Sequence, residues 1–358
     1  MKIGILTFHR AHNYGAVIQC YGLQQYLMSL GHEVFVVDYR PQYFDFYKLP
    51  SIGLSLLKKP IRFLKNIIHY SIAKKRYNAF NHFIENHLNL VPYNSSDDFS
   101  GYDAIILGSD QIWNPRITGG SFDNIYFGTN AKCKVISYAA SSKFTELTAS
   151  HEAYFRKHLD NIDSISVREI SLRNLLTPLS NKPIELVIDP SLLPDSSTYL
   201  QLINPIKQKK KYVLVYEITR NIDTLRIAND VAKQLDAEVI ELVSNTSFRF
   251  LKDKTIKQHK GPNDFLSYIK YAHCIITSSF HGMALSLKLQ KDFYAIRQGT
   301  NSDLRAESLL TKLELLDRFI PLNQSVIFEP IDYGVVRPKL NREIAHSQTF
   351  LLNALNNE

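Results

Sequence analysis

Apolar residues along this chain gather into short runs, and between the runs they recur at three- and four-residue spacing. Lys2–Phe8 is the first such run and suits a buried strand. A polar loop, His9–Tyr14, follows, and then Ala16, Val17, Cys20, Leu23, Leu27 and Leu30 fall at helical spacing, closed by Gly31. Glu33–Tyr39 is apolar and β-branched and stops at Arg40-Pro41. Strand, helix and strand in this order predict a crossover and a parallel sheet.

The alternation returns further on, with strands at Ala104–Leu107, Val135–Ala139, Ser164–Val167 and Ile184–Ile188 and helices near 150–159 and 169–176. A proline-marked linker carrying the run Lys207–Lys211 separates this set from a second one. There, strands Tyr212–Ile218, Glu238–Val243, Cys274–Thr277 and Phe293–Ile296 alternate with helices at 222–235, 263–271, 282–289 and 304–313. The pattern predicts an α/β protein of two Rossmann-like domains facing each other, residues 1–200 and 206–340. Residues 341–358 read as an amphipathic helix able to cross back to the first domain. The length of 358 residues, with 45% hydrophobic content, also fits two cores.

One stretch breaks the alternation. From Phe46 to Ile84 there is no acidic residue, yet Lys58, Lys59, Arg62, Lys65, Lys74, Lys75 and Arg76 interleave with leucines and isoleucines. Residues 46–90 therefore read as a basic helical insertion on the acceptor side of the first domain. It either lies on a membrane surface or packs its apolar side on the domain. The net charge of +8 suits anionic partners in general. Cys20, Cys133 and Cys274 are scattered and match neither a disulfide framework nor a zinc site, so no metal is expected. The opening apolar run is too short for a signal peptide and no stretch reaches the ~20 residues of a membrane span, which makes a cytoplasmic location the expectation.

Three strand-to-helix loops carry the candidate chemistry, because helix N-termini beyond such strands favour anions. The first holds His9, His12, Asn13, Tyr14 and Gly15; it matches neither G-x-G-x-x-G nor a P-loop. The second, Gly108-Ser109-Asp110-Gln111-Ile112-Trp113-Asn114-Pro115, contains the single tryptophan, which suits either a sugar-stacking platform or a core. The third is Thr277-Ser278-Ser279-Phe280-His281-Gly282, where His281 at a helix start suits a proton donor. Arg168, Arg297 and Arg305 offer guanidinium forks to an anion.

These residues resemble the polysaccharide pyruvyl transferase family. The resemblance rests on Gly4–Phe8 with Asn13-Tyr14-Gly15-Ala16, Gly108–Asn114, Ser137-Tyr138-Ala139-Ala140-Ser141, Ser166-Val167-Arg168-Glu169, Asp189-Pro190-Ser191-Leu192-Leu193 and Ser278–Gly282, in this order from about residue 3 to 320. It implies a GT-B-like fold and transfer of a pyruvyl group from phosphoenolpyruvate to a polysaccharide or lipid-linked sugar, with release of phosphate. No cofactor, metal or nucleic acid is implied. Carried over by motif, His281 is the acid, and Arg168, Ser278, Ser279, Gly282, Arg297 and Arg305 hold the donor. His9, His12, Asn13, Tyr14, Gly15, Gly108, Ser109, Gln111 and Trp113 face the acceptor, and the sugar base is sought among Asp110, His9 and His12. Many members have an arginine where Ser279 stands in this motif, and Arg297 or Arg305 is expected to replace it. A lipid-linked acceptor would bring the basic insertion to the inner membrane surface. Two other readings share the layout: a sugar-nucleotide glycosyltransferase and a non-catalytic carbohydrate-binding protein.

Overall fold

The alternation of apolar runs and helical periods becomes two parallel sheets in the computed structural model. It describes residues 1–49, 60–208, 210–247 and 250–356, and within these the side chains of all but 60–66 and 69. In the first lobe the strands are β1 (Lys2–Leu6), β2 (Glu33–Asp38), β3 (Leu90–Pro92), β4 (Ala104–Leu107), β5 (Lys134–Ala140), β6 (Ser164–Val167) and β7 (Ile184–Leu186). They pair in the order β3-β2-β1-β4-β5-β6-β7. The second lobe has β8 (Tyr212–Glu217), β9 (Glu238–Val243), β10 (Ile256–Lys257), β11 (Cys274–Thr277), β12 (Phe293–Arg297) and β13 (Phe319–Pro321), ordered β10-β9-β8-β11-β12-β13. All pairings are parallel. Both sheets reverse their winding beside the first strand, the arrangement of two Rossmann-like domains.

Central strands are apolar along their whole length because helices cover both faces: β4 and β11 are buried at every residue. The helices are α1 (Tyr14–Ser29), α2 (Pro60–His87), α3 (Ala149–Leu159), α4 (Ile170–Leu176), α5 (Ser196–Leu200), α6 (Ile222–Gln234), α7 (Pro262–Tyr271), α8 (Phe280–Lys288), α9 (Asp303–Leu313) and α10 (Tyr333–Asn356). One apolar cluster runs through the seam between the lobes, joining Val17 and Leu23 of α1 to Phe265 of α7 and Leu285 of α8. The lobes are therefore packed on each other beside the cleft rather than linked only by chain.

Three differences from the sequence reading have local causes. The first strand stops at Leu6, because the His9 N–H turns back onto the Thr7 carbonyl at 2.9 Å. The last helix starts at Tyr333 rather than Asn341 and carries Pro338 inside it. Its far end reaches the first lobe, where Ser347 Oγ accepts from the Ile188 N–H at 3.0 Å and the Leu355 carbonyl accepts from Lys134 Nζ at 3.1 Å. The basic insertion is helical from Pro60 and buries Ile72, Phe80, Phe83 and Ile84, the last three within the apolar cluster that runs through the seam. Arg76 is also buried: it donates to the Tyr14 hydroxyl at 2.7 Å and to the Val243 carbonyl at 3.3 Å, so it is a seam residue and not a membrane contact. Lys74 and Lys75 are exposed, whereas Leu54, Leu56, Leu57, Lys58 and Lys59 lie outside the described residues. Among the described residues no helix is long and apolar enough to cross a membrane.

Candidate active site

In open parallel sheets a ligand settles at the carboxyl ends of the strands where the winding reverses. Here both reversal points face one cleft. A cavity of about 410 Å³ lies between them, lined on one side by Phe8, Ala11, Asn13, Ala16, Phe44, Tyr47, Asp110, Gln111 and Lys143. Its other wall is Ile218, Thr219, Ser278, Ser279, Phe280, His281, Gln298, Thr300, Ser302 and Arg305.

Two helices begin at this cavity. Asn13 caps α1, its Oδ1 accepting from the Gly15 N–H at 2.9 Å and the Ala16 N–H at 3.4 Å. Ser279 caps α8, its Oγ accepting from the Gly282 N–H at 3.4 Å, and the Thr277 hydroxyl accepts the Ser279 N–H at 3.1 Å. A Cβ on Gly282 would fall 2.4 Å from that Thr277 hydroxyl, so only glycine lets the helix start this close to β11. The remaining amides of the two first turns, and the positive ends of both dipoles, favour an anion between them.

Behind the cavity lies a buried charge cluster. Asp189 is fully enclosed; its Oδ1 accepts from the Ser191 N–H at 2.9 Å, while its Oδ2 accepts from Arg168 Nη1 and lies 3.4 Å from both Ser109 Oγ and His281 Nε2. Burial alone would raise its pKa, but the His281 ring and the Arg168 guanidinium hold it well below the usual carboxylate range. Glu169, whose Oε1 accepts from Ser141 Oγ at 2.5 Å, is instead pushed up by burial, against the pull of Arg168 and Arg305. Arg305 is pushed down by burial and by repulsion from Arg168. Burial, Arg305 and Arg116 also lower Lys143. Arg168 Nε and Nη2, Arg305 Nε and Glu169 Oε2 are enclosed without a hydrogen-bond partner. Unsatisfied N–H donors beside a cleft suit an incoming anion.

The expected site residues divide accordingly. Asn13, Asp110, Gln111, Ser278, Ser279, His281 and Arg305 meet at the cavity, and Gly15 and Gly282 let its walls close. Arg168 does not line it: its side chain is 2% exposed, held by Asp189 and lying 4.9 Å above the Phe280 ring. It backs the cleft through Asp189. Arg297 points away, paired with Glu307 at 3.4 Å and stacked on Phe319 at 4.2 Å, which leaves Arg305 as the arginine at the cavity. Trp113 is not a platform for a sugar. Its ring is fully buried, stacked on Phe127, with Nε1 donating to the Tyr126 carbonyl at 2.8 Å. Gly108 and Ser109 form the floor under Asp110, and the Ser109 hydroxyl donates to the Ala139 carbonyl at 3.1 Å.

His9 is buried against Asp38 at 2.9 Å and serves that ion cluster instead of the cleft. His12 stacks on Phe80 and opens to a separate groove beside Tyr47 and Tyr77. Burial brings its pKa down to about 4, with Arg76 and Arg10 adding to the fall and a hydrogen bond to Asn81 opposing it. Tyr14 is a seam residue: it donates to the Lys260 carbonyl at 2.9 Å and stacks on Phe265 at 4.6 Å. Residues not singled out beforehand as site residues include Lys143, Phe44 and Tyr47 at the cavity and, behind it, Glu169 and Asp189. The last two stand within motifs already noted, each just beyond the end of a sheet strand, and that position was the available signal. Among the described residues no group of three or more His, Cys, Asp or Glu could hold a metal ion.

A family model described as polysaccharide pyruvyl transferase matches residues 13–299. No curated protein matches the chain. Among solved structures it is similar to the UDP-GlcNAc 2-epimerase of Methanocaldococcus jannaschii, at 14% identity and a TM-score of 0.44, covering 100% of this chain and 94% of that one. It is similar also to the UDP-N-acetylglucosamine 2-epimerase of Rickettsia bellii (13%, TM-score 0.45, covering 99% and 96%). A third is the glycosyltransferase SsfS6 of Streptomyces sp. SF2575 (12%, TM-score 0.39, covering 98% and 96%).

Proposed function

The chain belongs to the polysaccharide pyruvyl transferase family, and from that premise we propose that it moves the pyruvyl unit of phosphoenolpyruvate onto two hydroxyls of one sugar, forming a ketal. The observation that carries this reading is an interdomain cavity with His281, Arg305 and Lys143 on its wall and two helix N-termini at its edge. Phosphoenolpyruvate is a small enol bearing a phosphate and a carboxylate. It needs cations and amide donors around its oxygens and an acid beside its methylene carbon.

His281 gives a proton to that carbon, whose C=C electron pair forms the new C–H bond and leaves C2 cationic and stabilised by oxygen. One sugar hydroxyl adds at C2 and loses its proton; a second displaces phosphate and closes the ring. Of the two hydroxyl protons, one balances the proton now in the methyl group and the other leaves with phosphate. Asp110, at the cavity with 16% of its side chain exposed, is the group that accepts from the attacking hydroxyl. Arg305, Lys143 and the first turn of α8 hold the anion. The acceptor is a sugar of a polysaccharide precursor, lipid-linked and met at the inner membrane face, and the protein works in the cytoplasm without a metal or cofactor.

The test is phosphate release from phosphoenolpyruvate with a panel of lipid-linked and aryl-linked sugars, with mass spectrometry of the product. A pyruvyl ketal on the sugar supports the reading. Calorimetric binding of nucleotide sugars in place of phosphoenolpyruvate points to a sugar-nucleotide glycosyltransferase, and sugar binding without phosphate release points to a carbohydrate-binding protein.

A further inference from the structure

Asp189 and His281 come from different lobes and meet behind the cavity. We propose that Asp189 is the positioning residue that holds His281 by its Nε2–H, so that Nδ1 is the atom that delivers the proton; the assignment of that role rests on the phosphoenolpyruvate reading above.

The ring offers its two nitrogens to different surroundings. Nε2 is enclosed, and it lies 3.4 Å from Asp189 Oδ2. The opposite edge lies against the start of α1, where a Cβ on Gly15 would come within 2.0 Å of Nδ1 and 2.3 Å of Cγ. His281 lines the cavity beside Asn13 and Ala16 of that same turn, and its Nδ1, unlike Nε2, is not enclosed, so the Nδ1 edge is the one the cleft reaches. Asp189 is suited to the task because it is fixed from behind: Arg168 and the Ser191 N–H occupy its other lone pairs, and its side chain has no exposure to water. It stays an anion through the working pH range, and an enclosed anion accepts from an N–H in preference to facing a lone pair. The separation of 3.4 Å exceeds the usual ~2.9 Å of an N–H···O bond, and Nε2 has no nearer partner, so the pair is a contact that an approach of roughly 0.5 Å would turn into a hydrogen bond.

The proton balance then follows. In the imidazolium, the Nδ1–H bond breaks, the electron pair stays on nitrogen and the proton joins the methylene carbon. The neutral ring keeps its hydrogen on Nε2, the tautomer that Asp189 accepts from, and Nδ1 is recharged by the proton that Asp110 takes from the sugar hydroxyl and passes on.

The tautomer is measured directly by nitrogen-15 NMR of histidine-labelled protein, with the His281 signals identified by their loss in His281→Gln. An Nε2–H neutral ring supports the proposal; an Nδ1–H ring overturns it, and this arm needs no change at Asp189. In kinetics, Asp189→Asn is expected to lower kcat by about 10- to 100-fold. In the His281→Gln background the same change is expected to cost no further rate, since the aspartate acts only through the ring. Equal losses in both backgrounds overturn the role. If the wild-type enzyme releases no phosphate with any acceptor, the donor assignment fails, and the tautomer alone decides whether Asp189 positions the ring.

Discussion

A Cβ built on Gly15 would lie 2.0 Å from Nδ1 of His281, a distance no pair of unbonded atoms tolerates. Gly15 belongs to α1 of the first lobe and His281 to α8 of the second. Its missing side chain is the space in which the imidazole sits. Gly15→Ala is therefore expected to push the ring or the lobe away by an ångström or so, at a cost of about 10²-fold in phosphate release. A thermal melt separates this from unfolding, because alanine is a better helix former than glycine. Wild-type turnover in Gly15→Ala would sink the idea that the ring must lie against this turn.

Arg168 and Arg305 are neighbours with opposite expected phenotypes. Arg305 lines the cavity and is repelled by Arg168, so Arg305→Ala should raise the KM for phosphoenolpyruvate tenfold or more with little change in stability. Arg168→Ala removes the cation that neutralises Asp189 and flanks Glu169, both fully buried. An uncompensated buried charge costs about 3–5 kcal/mol, read as a lower urea midpoint. The sequence motif alone placed Arg168 on the donor; the burial of the pair changes that expectation. Equal stability of the two variants would contradict it.

The central strands and most helices were legible because parallel strands buried on both faces are continuous apolar runs, as in Ala104–Leu107 and Cys274–Thr277. The edge strands β3, β10 and β13 were not, since two or three residues give no periodicity. At the site, small and polar residues just past a strand marked Asn13, Asp110, Ser278, Ser279 and His281 well. Trp113, His9 and Tyr14 stand in the same loops but turn inward, and the direction of a side chain in a loop is decided by tertiary packing. Asp189 and Glu169 went unassigned because a buried ion cluster is assembled from several distant segments, which no local window contains.

The burial of Trp113 makes a prediction about the acceptor. Its indole stacks on Phe127 and meets Phe155 edge-on, far from any role in sugar stacking. Trp113→Phe should leave acceptor affinity unchanged by calorimetry, while Trp113→Ala should cost about 3–5 kcal/mol of stability by urea titration. A large loss of acceptor binding in Trp113→Phe, with stability retained, would restore the platform reading.

Lys288 gives the pH dependence of stability a testable sign. It lies on α8 of the second lobe and donates to the Leu192 carbonyl of the first at 2.9 Å. Burial lowers its pKa to about 8, with Asp195 opposing the fall. In the unfolded chain a lysine titrates near 10.4, so between pH ~8 and ~10.4 the unfolded state binds more protons than the folded one. Stability therefore rises with pH across that window, and below about 8 both states are protonated and the penalty of burying the charge is present in full. Lys288→Met fills the same space without the charge. At pH 7 it should be more stable than the wild type, by on the order of 2–3 kcal/mol, with the gap closing as the pH approaches ~10. Buried tyrosines such as Tyr212 have raised pKa values and reduce stability at still higher pH in both proteins. The readout is accordingly the difference between the two denaturation curves at pH 7, 8, 9 and 10. Parallel curves would mean that Lys288 stays charged at the seam, and that the lobes meet there through a solvated ammonium rather than a desolvated one.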